Sequence, residues 1–295
     1  MRVKKGWVPA CLLLLSFSSL CMAEVRMRFT TIDFPGAIQT NPFGINNRGT
    51  VVGYYVAEDK GIHGFLWKQG IFTQLDFPGS TETYAMGIND KGAIVGYYYA
   101  PERHGFLYQN GLFTQLDFPD ASSTNARAIN NDGDIIGQQW GPEGPSAWIL
   151  RAGIYEKLPN PQLDIQRARG INDAGSIVGF YFTSVDPDRF VAYLYNNGVF
   201  AYYDFPGDDD SMVIDVNNAG ALLGNYLGGE DFIFNVLWSG VEWIILPAFQ
   251  DYVGPDYYTQ YLSMNDQGLY VGIYGPSDNS VVHGFLGTEI GGKSR

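Results

Sequence analysis

Six copies of one short unit dominate this sequence, and a repeat of that length leaves few architectures open. Gly44-Ile45-Asn46-Asn47-Arg48-Gly49 returns as Gly87-Ile88-Asn89-Asp90-Lys91-Gly92, Ala128-Ile129-Asn130-Asn131-Asp132-Gly133 and Gly170-Ile171-Asn172-Asp173-Ala174-Gly175. Weaker copies are Asp215-Val216-Asn217-Asn218-Ala219-Gly220 and Ser263-Met264-Asn265-Asp266-Gln267-Gly268. The repeats centre on Asn46, Asn89, Asn130, Asn172, Asn217 and Asn265, spaced 43, 41, 42, 45 and 48 residues apart. Each copy holds four β-like segments, which in the second are Tyr84 to Asn89, Ala93 to Tyr98, Gly105 to Tyr108 and Leu112 to Phe118. Asn-Asn/Asp-x-Gly joins the first two as a hairpin, because the polar side chain bonds nearby backbone and glycine accepts the left-handed conformation. Gln109-Asn110-Gly111 joins the last two in the same way. The remaining connections are longer and differ between copies.

Four strands every 41 to 48 residues predict an all-β chain, a six-bladed β-propeller occupying residues 24–295 as one domain. The ends of the repeat support a closed ring. Phe29-Thr30-Thr31-Ile32-Asp33-Phe34-Pro35-Gly36 matches the fourth strand Phe72-Thr73-Gln74-Leu75-Asp76-Phe77-Pro78-Gly79 but precedes any first strand. The last copy stops at His283-Gly284-Phe285-Leu286 with no fourth strand of its own. Pairing the amino-terminal strand with the carboxy-terminal blade would complete six blades and remove the exposed sheet edges. An irregular β-solenoid or sandwich is the alternative. Small residues in the first strand, such as Ala85, Gly87, Ala126, Ala128 and Gly170, suit a crowded position beside a central channel. The continuous apolar runs Val51 to Tyr55 and Ile94 to Tyr98 suit strands packed on both faces. Gly53, Gly96, Gly137, Gly179, Gly224 and Gly272 recur at one site, which signals a bulge or a close sheet approach.

A composition that is 45% hydrophobic, 15% aromatic and 17% charged excludes disorder and coiled coils. Arg2, Lys4 and Lys5 ahead of the apolar stretch Val8 to Leu20, followed by Cys21-Met22-Ala23, predict a secretory signal peptide over residues 1–23, cleaved near Ala23. Leu20 before Cys21 argues against lipid attachment. No later run approaches the ~20 apolar residues of a membrane span. Both cysteines, Cys11 and Cys21, fall in the predicted signal, so the mature chain would lack disulfides, a thiol nucleophile and thiolate metal ligands. Cleavage leaves 15 of the 18 basic residues against 31 acidic ones, a net charge of −16. Nucleic acid and anionic membrane are poor partners for such a surface. The product is expected to be a secreted or periplasmic monomer.

The unit Gly-Ile-Asn-Asn/Asp-x-Gly, Val-Val-Gly-Tyr, His-Gly-Phe-Leu-Trp and Phe-Thr-Gln-Leu-Asp-Phe-Pro-Gly resembles the bacterial HAF family of probable extracellular repeats. The resemblance covers nearly all of residues 29–286, with His63-Gly64-Phe65-Leu66-Trp67 and His104-Gly105-Phe106-Leu107-Tyr108 as its best copies. Ser146-Ala147-Trp148, Val191-Ala192-Tyr193 and Asn235-Val236-Leu237 depart from it. It implies secretion and a propeller-like architecture, and no defined reaction.

Chemistry is harder to read. His63, His104 and His283 share one repeat position, so they should be spread around the ring, each in a local structural hydrogen bond, with a metal-binding or acid–base role as the alternative. The Asn-Asn/Asp-x-Gly loops lack the pattern of a calcium-binding EF-hand loop and of a sialidase Asp box, and turn formation explains them. No metal site is assigned and no cofactor is required. The long connections are acidic, with Glu82, Asp120, Asp164, Asp208, Asp209, Asp210, Asp251 and Asp256 in the links that enter the first strands. They read either as a solvated rim or as a site for a basic partner or a divalent cation such as Ca2+. The link Pro247 to Leu262, containing Tyr252, Asp256, Tyr257 and Tyr258, and the loop opened by Trp140 combine aromatic with polar side chains. That is the chemistry of a sugar-binding surface, where a flat ring stacks on the apolar face of a saccharide. Packing against the blade rims is the alternative. Trp140, Asp208, Asp209, Asp210, Tyr252, Asp256, Tyr257 and Tyr258 are therefore the candidate ligand-binding residues. Hydrolase, metalloprotease, phosphate-loop and dinucleotide signatures are absent. The expected function is a secreted, non-catalytic binding or scaffold module for extracellular polysaccharide or a surface protein. A carbohydrate-active hydrolase or lyase using loop carboxylates is the alternative, and a structural matrix protein the third possibility.

Overall fold

The computed structural model describes residues 25–159, 166–182, 190–203, 205, 211–228, 232–249 and 256–290. The predicted signal peptide lies outside them. Among the described residues there is no helix, and so none long and apolar enough to cross a membrane. β1 (Met27–Ile32) is followed by β2 (Ala37–Ile45), β3 (Val51–Ala57), β4 (Ile62–Lys68) and β5 (Ile71–Gln74). The second set is β6 (Glu82–Ile88), β7 (Ile94–Tyr99), β8 (Arg103–Gln109) and β9 (Leu112–Leu116). The third is β10 (Ser123–Ile129), β11 (Ile135–Gly141), β12 (Gly144–Arg151) and β13 (Ile154–Lys157). The fourth is β14 (Gln166–Ile171), β15 (Ile177–Phe182), β16 (Phe190–Asn196) and β17 (Val199–Tyr203). The fifth is β18 (Ser211–Val216), β19 (Leu222–Gly228), β20 (Phe232–Trp238) and β21 (Trp243–Ile245). β22 (Tyr257–Met264), β23 (Leu269–Pro276) and β24 (His283–Glu289) end the chain.

Within each set the strands pair antiparallel in chain order, and a single parallel pair, Ile62 with Glu82, links the first set to the second. The last sheet has the order β1-β24-β23-β22. β1 lies antiparallel on β24 from Met27/Glu289 to Ile32/Gly284. The amino-terminal segment that the repeat left unpaired thus takes the fourth place in the last unit. β9 stops two residues before Phe118 because the Phe118 amide leaves the ladder and donates to Thr124 Oγ1 at 3.1 Å. The same switch recurs at Phe34 to Thr40, Phe77 to Thr83, Phe205 to Ser211 and Phe249 to Thr259.

The first asparagine of each unit builds its own hairpin. Asn46 Oδ1 accepts from the amides of Arg48 (3.1 Å) and Thr50 (3.0 Å), and Gly49 closes the turn at φ 70°. Both faces of the second strand are then buried. Val51 packs with Ile32, Phe65 and Val271, the last from the final unit, whereas Val52 packs with Ile94 and Phe106 of the second unit. Each fully buried phenylalanine, Phe65, Phe106 and Phe285 among them, stabilises the fold by roughly 1.5–3 kcal/mol.

The recurring glycine of the second strand faces a bulge in the first. Pairing jumps from Pro42 to Gly44, Ala85 to Gly87, Ala126 to Ala128, Ala168 to Gly170, Val213 to Asp215 and Tyr261 to Ser263. A methyl group on Gly53, Gly96, Gly137, Gly179 or Gly272 would overlap a backbone carbonyl oxygen of the first strand. The bulge and the close approach expected at these glycines are one feature.

Candidate functional site

A bulge re-aims the residue it inserts. The six inserted residues here are Phe43, Met86, Arg127, Arg169, Ile214 and Leu262, and all of them line one cavity of about 100 Å3. That is room for several waters or a small polar group. Four of the six are apolar, and arginine occupies the position in two consecutive units.

At the hairpin end the cavity is bounded by a run of five asparagine links and by one closed hydrogen-bonded ring. Asn46, Asn89, Asn130, Asn172 and Asn265 each donate Nδ2 to the backbone carbonyl of the corresponding asparagine in the next unit, with Asn265 reaching Asn46. The following residue alternates around the circuit as Asn47, Asp90, Asn131, Asp173, Asn218 and Asp266. Each of their backbone amides donates to the Oδ1 of the next member at 2.7–2.9 Å, and Asp266 returns to Asn47. Each asparagine Nδ2 also donates to the Oδ2 of both flanking aspartates at 2.8–3.0 Å. Every carboxylate therefore accepts three N–H donors. These carboxylates converge, and three of the roughly four lone-pair positions of each are engaged within the circuit, which is a structural use.

The opposite end is different in chemistry. An aromatic wall runs from Phe43 to Tyr54 (ring centroids 5.6 Å apart), Tyr84 (4.8 Å) and Tyr97 (4.5 Å, stacked). The Tyr84 hydroxyl donates to Glu82 at 2.8 Å. Burial pushes the Tyr97 phenol up to about 12, and its neighbours Arg127 and Arg103 oppose the rise. The Arg127 guanidinium lies 4.8 Å from the Phe43 ring centroid, and Arg169 lies 5.0 Å from Phe180. Arg103 stacks at 3.9 Å on the Trp140 ring, Arg167 stands 5.3 Å from the same ring, and Arg103 Nε donates to Ser123 Oγ at 2.9 Å. The tyrosines of units one and two and the arginines of units two to four thus form one contiguous group of ring and guanidinium contacts.

Of the candidates named from sequence, Trp140 belongs to this group, with one ring face beneath Arg103. Tyr258 is half-buried; burial and then the Tyr54 phenol raise its pKa, which puts it within electrostatic reach of the same wall. Asp256 and Tyr257 are exposed at the start of β22, where the Asp256 carbonyl accepts the Ser277 amide. Asp208, Asp209, Asp210 and Tyr252 lie outside the described residues. Sequence patterning does not set Arg127 and Arg169 apart from the small residues that flank them. The signal was an arginine at the same repeat index in neighbouring units.

The histidines do what their spacing suggested. His63, His104 and His283 bond through Nδ1 to Asp76, Asp117 and Asp33 at 2.9, 2.9 and 2.7 Å. Tyr55, Tyr98 and Tyr274 pack against the three rings at 5.1–5.4 Å. Three loop carboxylates serve local turns and pairs: Asp59 accepts the Gly61 amide, Asp278 the Ser280 amide, and Glu143 pairs with Lys157. Among the described residues no three His, Cys, Asp or Glu side chains are grouped to hold a metal ion.

No family model matches the chain, and no curated protein does. Solved structures match it in fold. TolB from Acinetobacter baumannii aligns with a TM-score of 0.57 at 10% identity, over 80% of this chain and 63% of that one. A catalytically inactive virginiamycin B lyase from Staphylococcus aureus, solved with quinupristin, aligns at 0.52 and 11% identity, over 90% and 100%. The Aleuria aurantia lectin, a fungal lectin described as a six-bladed β-propeller that recognises fucose, aligns at 0.51 and 8% identity, over 89% and 91%. Identities this low speak to the fold alone. The chain is an all-β protein with the fold of a β-propeller.

Proposed function

We propose that this chain is an exported six-bladed β-propeller of the HAF repeat kind, closed by its amino-terminal strand, that binds extracellular polysaccharide without transforming it. The pairing of β1 with β24 supports closure. The Asn/Asp circuit supports an even number of units, since alternating donors and acceptors return to register only on an even count. One observation carries the binding function: aromatic rings and guanidinium groups gather on the side away from the hairpins, while the carboxylates that converge at the hairpin end each accept three N–H donors. Stacking rings beside polar donors are the usual means of holding a sugar. The fucose-recognising lectin of similar fold shows that the architecture can carry such a site.

The test is a pull-down of the purified chain against a panel of insoluble and immobilised polysaccharides at moderate salt. Binding to a subset is expected, with Tyr84→Ala or Tyr97→Ala weakening it by about tenfold and Tyr97→Phe retaining most of it. Failure to bind any member of the panel removes the saccharide function and leaves a propeller that contacts protein.

A further inference from the structure

The chain carries a formal net charge of −13, yet four arginines lie close together: Arg103 and Arg167 share the Trp140 ring, and Arg127 and Arg167 both repel Arg169. Among the described residues none of the four forms an ion pair. Arg127 is only 7% exposed, and neither its Nη1 nor Arg169 Nε has a hydrogen-bond partner. Leaving such groups buried and unpaired costs several kcal/mol unless something else meets them. Asp215, the carboxylate that acts on Arg127, is occupied: Oδ1 accepts the Val216 amide, and Oδ2 accepts Ser263 Oγ–H (2.7 Å) and the Met264 amide (2.9 Å).

The fold does not require arginine there, because the other four units carry Phe43, Met86, Ile214 and Leu262 at the same bulge. Burial pulls Arg127 down to about 10. Arg169, buried and also repelled by Arg127 and then Arg167, falls to about 9. Both remain cationic at neutral pH, which is what an anion receptor needs.

We propose that Arg127 and Arg169 hold the anionic group of an acidic sugar, a carboxylate or a sulfate ester, whose ring lies against the Tyr84–Tyr97 wall; this rests on the saccharide-binding function above. A guanidinium presents paired N–H donors matched to such oxyanions, and two side by side discriminate strongly against a neutral hydroxyl. The acidic exterior repels a polyanion laid across it, so the site takes a single or terminal acidic unit and not a charged run.

Calorimetric titration of the whole purified chain provides the test, using glucuronate-ended and galacturonate-ended disaccharides, their neutral parents and sodium sulfate. The double variant Arg127→Met/Arg169→Ile serves as partner, since both replacements are native to this position in other units. An acidic disaccharide is expected to bind at least about tenfold more tightly than its neutral parent, more weakly as salt rises, and at least about tenfold more weakly to the double variant. Displacement of the bound uronate by sulfate would extend the site to sulfated sugars. Equal binding to both proteins overturns the inference, as does binding of sulfate with no acidic disaccharide. Preference for neutral sugars overturns it while leaving the polysaccharide function standing, and silence toward every sugar removes both.

Discussion

Replacing Gly137 with alanine is expected to destabilise the chain by at least about 4 kcal/mol, enough to abolish a cooperative urea transition. The added methyl would fall on the Asn125 carbonyl oxygen, with the buried Trp148 ring closing the other side. Neither can yield. Asn125 is held in the β10–β11 ladder where the strand is about to bulge at Arg127, and Trp148 is fully buried at the centre of its cluster. Gly224→Ala should cost visibly less, because the first atom its methyl meets is the edge of the Phe205 ring and the Met212 carbonyl is 2.9 Å away. Equal losses at the two positions would mean that glycine serves something other than clearance for the bulge.

The second large effect concerns the alternating circuit. Asn131→Asp removes two amide donors, one each to Asp90 and Asp173, and sets a third negative charge between them. Hydrogen bonds to charged groups are worth roughly 1.5–3 kcal/mol, discounted here because the ring is partly solvated, so a loss of about 2–4 kcal/mol is expected. Added salt should recover part of it by screening the repulsion. Exchanging all six members, so that every asparagine becomes aspartate and every aspartate asparagine, restores the alternation and should return stability to within about 1 kcal/mol of the parent. A six-fold exchange no more stable than the single variant would refute the circuit.

Much of this was legible in the residues. The unit length, its four strands, the asparagine-built hairpins and the orphan strand at the amino end follow from local turn chemistry and from counting, and the structure holds them in those roles. A local hydrogen bond for each histidine is expected from its repeat position, and the aspartate partners Asp76, Asp117 and Asp33 come from the structure. The Asn/Asp alternation was equally visible but had no meaning while each hairpin was considered alone, because its partners lie in the flanking units. Arg127 and Arg169 escaped for a different reason. In a regular strand, alternation says which way a side chain points, and a one-residue bulge reverses that rule beyond the insertion. Trp140 is legible as an aromatic at the head of a loop, but its Arg103 cover depends on a contact between units two and three that no local pattern encodes.

The central claim is that the chain closes on itself through its first strand to form one continuous ring around the channel. Native-state amide exchange over Met27–Ile32 addresses it most directly, since an isolated amino-terminal segment exchanges freely while a ladder strand does not. Closure predicts protection of the β1 amides comparable to that of β5 and β9, the fourth strands of the first two units. Exchange across β1 at the rate of an unstructured peptide, with β5 and β9 still protected, would contradict it.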